Sequence, residues 1–306
     1  MRGSRIVFLL VAFFILCAPL KGNCANISER DAKRGVTALM AAARDGDSQA
    51  IQTLLGNGAD INARAKNGMT ALMFAAEKGR SQAIQTLLDN KADINARTES
   101  GLTALMLAAQ RGHSQAIQTL LDNKADINVR ANNGMTALLS AAYCGHSQAI
   151  QTLLGNGADI NAREKDGMTA LMLAAIGGQS QAVQTLLNNK ADIHVRDNNG
   201  RTALMVALTA LRGPNILTLL NDHEPTPNQA IQILLDNGVD INAQDKDGLT
   251  ALMMAVEHGP IQAVKKLLDN KADPLVKRND GTTALDMARR LNNADAVRLL
   301  ERYGTK

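Results

Sequence analysis

The sequence predicts an all-α repeat solenoid, and three observations carry that prediction. The tripeptide Thr-Ala-Leu begins at Thr37, Thr70, Thr103, Thr136, Thr169 and Thr202, 33 residues apart each time, and recurs at Thr250 and Thr283. Self-similarity at such a period marks a stack of small units, each burying its apolar face against its neighbours. Inside each period the apolar residues fall into two short helical patterns separated by glycine. Aromatic residues make up only 2% of the chain, with no Trp, so the core is built from Leu, Ile, Met and Ala. A composition of 45% hydrophobic and 20% charged residues excludes a disordered or collagen-like chain. The scarcity of rings argues against recognition by base stacking.

Taken in order, the chain opens with Arg2 and Arg5 ahead of an apolar run of eleven residues, Ile6 to Leu16, which Pro19 and Lys21 bring to an end. That is the charged and apolar pattern of a secretory signal, and the run falls short of the ~20 residues a spanning helix needs. Residues 1–25 are therefore expected to be cleaved, after Cys24 or Ala25. Lipidation of Cys17 or Cys24 is the competing reading, against which Leu16 and Asn23 are poor flanking residues. Loss of Arg2, Arg5 and Lys21 lowers the formal charge from +4 to +1, a near-neutral chain without the basic footprint of a nucleic-acid binder. Cys144 is then the one remaining thiol, so no internal disulfide forms. The expected product is exported, periplasmic or secreted, free of the membrane after cleavage, and monomeric, with 26–34 as a lead-in to the repeats.

The second unit shows the local logic. Thr70 offers an oxygen to cap a helix whose apolar positions are Leu72, Met73, Ala75 and Ala76, and Gly79 ends it. Ser81 is expected to cap the second helix, where Ala83, Ile84, Leu87 and Leu88 share one face. Residues from Asn95 to Gly101 turn the chain into the next unit.

This unit resembles the ankyrin repeat in its 33-residue period, its Gly-x-Thr-x-Leu helix start and its Leu-Leu-x-x-x-Ala-Asp-Ile-Asn ending. The resemblance implies helix-turn-helix units with β-hairpin-like turns, eight of them over 35–306. Two departures stand out. The family's Thr-Pro-Leu-His is Thr-Ala-Leu-Met here, and Lys91, Lys124, Lys190 and Lys271 stand where glycine is expected. At positive φ each lysine costs about 1 kcal/mol. In the last unit Asp286 replaces an apolar residue, and Asp295, Arg298, Glu301 and Arg302 give its final helix a polar face suited to closing a solenoid. The sixth unit carries an insertion at 211–227, with Gly213-Pro214 and His223, read either as a binding loop or as a tolerated one.

No catalytic, cofactor-binding or metal constellation is legible. His113 and His146 follow a helix-ending glycine, where hydrogen bonding to the scaffold accounts for them, and no third group orients Cys144 with His146. His194, His223 and His258 lack zinc spacing. Asp60, Asp93, Asp126, Asp159 and Asp192 recur like a calcium ladder, but a capping role in the Ala-Asp turn suffices. An enzyme is disfavoured, and no cofactor is expected.

What remains is surface. The resemblance implies that turn tips and the exposed, concave face of the first helices contact a partner protein. Those positions are Lys66, Asn67, Glu99, Asn132 and Lys165 at the tips, and Glu77, Lys78, Gln110, Arg111, Tyr143, Cys144 and Ile176 on the helices. Tyr143, Cys144 and Ile176 form the least polar stretch, which points to units three to five; the alternative is that Tyr143 covers its neighbour's helix end. Arg64, Arg97, Arg130, Arg163 and Arg196 recur once per unit. They either grip an acidic partner or, as the neutral charge favours, pair with Asp or Glu of their own turns. The functional expectation is an exported protein-binding module. A stoichiometric inhibitor or protective partner of an envelope enzyme, and an effector acting on host proteins, are the alternatives.

Overall fold

A computed structural model describes residues 31, 33–209 and 227–304. The leader 1–25, the lead-in apart from its last residues, and the insertion up to residue 226 lie outside the described residues. Within them the chain forms sixteen helices that alternate between two roles. The first helices of the units are α1 (Ala38–Asp45), α3 (Ala71–Glu77), α5 (Ala104–Gln110), α7 (Ala137–Tyr143), α9 (Ala170–Ile176), α11 (Ala203–Thr209), α13 (Ala251–His258) and α15 (Ala284–Arg290). The second helices are α2 (Ser48–Gly56), α4 (Ser81–Asp89), α6 (Ser114–Asp122), α8 (Ser147–Gly155), α10 (Ser180–Asn188), α12 (Pro227–Asp236), α14 (Ile261–Asp269) and α16 (Ala294–Gly304).

Threonine starts each first helix as expected. Thr103 Oγ1, for example, accepts the N–H of Met106 at 3.3 Å, satisfying one of the amides that a helix start leaves without an internal partner. In units two to five a glycine at positive φ stops the helix two residues past its end. Gly79 has φ +66, and a Cβ there would stand 2.6 Å from the ring of His113 in the next unit, so the position excludes a side chain on two grounds.

The second helices start differently from expectation. Ser81 is the first helical residue and caps nothing; Arg80 occupies the cap position, with no capping hydrogen bond from its side chain. The turn is too tight for serine to precede the helix, because Ser81 N–H already bonds Gly79 O at 3.0 Å. The equivalent hydroxyls of Ser48 and Ser147 are buried without a partner. Side-chain caps appear instead in the outer units, where Asp47 accepts from Ala50 N–H at 2.9 Å and Asn293 from Ala296 N–H at 3.1 Å.

One apolar cluster runs from Val36 to Leu300 and contains no fully buried ring. Its walls are Leu72, Met73, Leu105, Met106, Leu138 and their counterparts, with Ile84, Ile117 and Ile150 from the second helices. The turns close like hairpins, with Thr98 N–H on Leu102 O at 2.9 Å and Ala131 N–H on Met135 O at 2.8 Å. Among the described residues these contacts amount to a single antiparallel bridge, Arg163 with Thr169, and to no strand.

The four lysines in glycine's place do adopt the left-handed conformation, at φ 66, 68, 66 and 68 for Lys91, Lys124, Lys190 and Lys271. Lys124→Gly is therefore expected to stabilise the chain by about 1 kcal/mol in urea denaturation. A loss of stability would show that the lysine stem contributes more than its backbone costs.

Asp286, read from sequence as part of a closing face, completes a capping box. Its carboxylate accepts from Thr283 N–H at 3.0 Å and from Thr283 Oγ1 at 2.7 Å, while Thr283 Oγ1 accepts from Asp286 N–H at 3.2 Å. The hydrogen bonds from Thr283 hold this carboxyl below its ordinary pKa. A carboxyl depressed in the folded state adds stability above its unfolded pKa of about 3.9 and loses it as pH falls through the folded value. Asp286→Asn is expected to flatten this part of the acid unfolding curve, read by circular dichroism between about pH 5 and 2.

Candidate protein-binding surface

The five recurrent arginines were expected to meet carboxylates of their own turns, and they do not. Arg97 Nη2 donates to Arg130 O at 2.8 Å, and Arg163 Nη2 to Arg196 O at 2.8 Å. Arg64, Arg130 and Arg196 donate in the same way to Arg97 O, Arg163 O and Gln244 O. Gln244 continues the series to Lys277 O at 2.8 Å. Each guanidinium thus reaches the backbone of the next unit, one repeat away. The carboxylates of the turn are already engaged: Asp93 Oδ1 accepts from Asn95 N–H at 3.1 Å, and Asp126 Oδ1 from Asn128 N–H at 3.0 Å.

Those asparagines form a second series. Asn62 Oδ1 accepts from Asp93 N–H at 2.9 Å, and Asn95 Oδ1 from Asp126 N–H at 3.0 Å. The recurrent aspartates therefore brace a turn, and among the described residues no cluster of three His, Cys, Asp or Glu side chains could hold a metal ion. The tips are tied too: Lys165 N–H bonds Asn133 O at 3.1 Å, and Asn132 Nδ2 bonds Glu99 O at 2.9 Å. The side chains of Lys66, Asn67, Glu99, Asn132 and Lys165 remain exposed.

At the ends of the first helices a third series appears, which the sequence reading found only in part. His113 Nε2 bonds Glu77 O at 3.1 Å and His146 Nε2 bonds Gln110 O at 3.0 Å, the scaffold role expected of both. Arg80 Nε does the same for Arg44 O at 3.3 Å. Each donor satisfies a carbonyl that a helix end leaves without an internal partner.

The helix-end positions divide by chemistry. Glu77 and Arg111 form an ion pair at 2.7 Å across two units, so these two side chains are partly spent on each other. Lys78 and Gln110 are exposed, and Cys144 and Ile176 are half-buried. Tyr143 is 55% exposed. Gly177 lies exposed beside it. Desolvation raises the Cys144 thiol above its ordinary pKa against the opposing effect of Arg111, so the thiol stays protonated at neutral pH and is no activated nucleophile.

A family model described as ankyrin repeats in three copies matches residues 6–98, 91–164, 159–230 and 225–306. The chain belongs to the ankyrin-repeat family. No curated protein matches it. The ankyrin architecture is a non-enzymatic one that serves protein–protein interaction, and that general role is the chain's. Among the described residues no helix is long and apolar enough to cross a membrane.

In this ankyrin stack the arginine series is a means of holding register. Arg97→Ala is expected to lower stability by about 1 kcal/mol in urea denaturation, the value of one hydrogen bond to backbone, without loss of helix content. An unchanged midpoint would show that water replaces the guanidinium at no cost.

Proposed function

We propose that this protein is an exported binding module that engages a partner protein through the helix ends and turn tips of units three to five. The observation that carries the reading is Tyr143, 55% exposed on a face otherwise lined by charged and polar groups, with Ile176, Cys144 and Gly177 around it. An exposed tyrosine in a row of helix ends that runs from Lys78, Gln110 and Arg111 to Ile176 combines an aromatic anchor with a polar rim, the make-up of an interface centre. Export rests on Arg2, Arg5 and the apolar run Ile6 to Leu16.

The test is purification of the tagged full chain from its native envelope fraction, with determination of its N-terminus and of co-purifying proteins. An N-terminus near Asn26 supports export, and an intact leader on a cytoplasmic product overturns it. Ile176→Glu and Tyr143→Ala are each expected to weaken the captured partner about tenfold, and Gln82→Glu on an exposed position of α4 to leave it unchanged. Equal retention by all three variants overturns the assignment of the face.

A further inference from the structure

We infer that the C-terminal carbonyl and the ring of Tyr143 together receive an arginine side chain of the partner. The inference rests on the binding face proposed above and names the group that face recognises. The protein itself displays the chemistry. Arg44 O, Glu77 O and Gln110 O, the corresponding carbonyls of units one to three, are each bonded by a side chain of the following unit, and in the first case the donor is the guanidinium of Arg80.

The series stops at unit four. Gln179 takes the place of His113 and His146, but its side chain lies over Gly145 and makes no bond to Tyr143 O. Tyr143 O accepts no hydrogen bond among the described residues, and it sits where the aligned peptide dipoles of α7 place partial negative charge. The residue of the next unit that lies against it is Gly177, which brings no side chain, and the stem of Gln179 reaches the same place without donating a hydrogen bond. Gly177 has an ordinary right-handed helical backbone, and a Cβ there would be 3.1 Å from Tyr143 O. Its φ does not demand glycine; the close approach of Tyr143 O and Gln179 Cγ leaves a side chain little room, and glycine puts no donor of its own side chain on the carbonyl.

A donor alone would be met by many groups, and the ring narrows the choice. Tyr143, 55% exposed, is the residue that carries the unbonded carbonyl, and a planar cation is the donor that also gains from lying against an aromatic ring. Arg111, the nearby cation, is neutralised by Glu77 at 2.7 Å, so a second guanidinium is not repelled by an unpaired charge. Norleucine would satisfy the ring but not the carbonyl, and glutamate would be repelled by the helix end.

The probe is the blocked tripeptide acetyl-Gly-Arg-Gly-amide, titrated into the isotope-labelled chain and read by amide chemical shifts. Saturable changes confined to 142–144 and 176–178, with millimolar affinity and none from the norleucine or glutamate peptide, are expected. Tyr143→Ala is expected to weaken binding about two- to fivefold, the range of an exposed cation–π contact, and Tyr143→Phe to keep most of it. Gln179→His supplies the missing internal donor, so it is expected to block the peptide and to raise the thermal midpoint. Equal response to the norleucine peptide, or unchanged binding in Gln179→His with a raised midpoint, overturns the inference. If a captured partner is lost on Ile176→Glu yet retained on Tyr143→Ala and Gln179→His, the arginine site is wrong while the binding face stands. Retention by all of them removes the face as well.

Discussion

A fully buried alanine near the end of each first helix, followed by a second in units one to five, lets neighbouring units stack closely, and the rest of the molecule depends on that stacking. Ala75 and Ala76, Ala108 and Ala109, Ala141 and Ala142, and Ala174 and Ala175 all have no exposed surface. Small side chains at these positions leave the neighbouring first helices free to pack closely, and no unit of two short helices buries its own apolar face without its neighbours. Every side-chain bond between units spans one such spacing. A bulkier residue at Ala142 would do more than strain the core, because the helix-end and turn series would be pulled out of reach together.

Burial supplies the energy of stacking, and the polar series supply its register. Apolar burial is non-directional, so the burial of Leu72 and its counterparts does not by itself fix how one layer sits on the next. Hydrogen bonds from Arg97 to Arg130 O, from Asp126 N–H to Asn95 and from His113 to Glu77 O fix three separate points of the junction between units two and three, at the turn and at the helix end. A slide that relieves one breaks the others. The donors are aimed at carbonyls rather than at carboxylates, which lets a chain of near-neutral net charge carry a column of arginines.

The elements of one unit were legible because their signals are local. Thr70, Gly79 and the spacing of Leu72, Met73, Ala75 and Ala76 specify a capped helix within ten residues, and the lysines at 91, 124, 190 and 271 declare their left-handed backbone by standing in for glycine. Contacts between units were not legible in the same way. The partner of Arg97 is a main-chain oxygen, a group every residue possesses, so the sequence carries no mark of it, and pairing with a nearby carboxylate was the more visible choice. Ser81 misled for the opposite reason: its residue type signals a cap, but tight closure on Gly79 moves the helix start by one position. The recurrence of Asn two residues after each turn Asp was visible, and only stacking shows that Asn62 serves the unit that follows.

A repeat array that satisfied every inter-unit group would present a partner with little beyond solvated side chains. The helix-end series shows how an exception arises at small cost to folding. A buried carbonyl without a partner costs the full desolvation of the group, whereas one at an exposed helix end keeps its water, so replacing His113 or His146 by Gln179 at the same place sacrifices about one ordinary hydrogen bond. Stability elsewhere in the stack absorbs that loss, because Arg163 and Asn161 still tie unit four to unit five. Such a group gives geometry more than strength, since any partner must displace water that already bonds the oxygen. Affinity then falls to the apolar atoms alongside it, and on this face those belong to Tyr143 and Ile176, beside the carbonyl that the scaffold leaves unbonded.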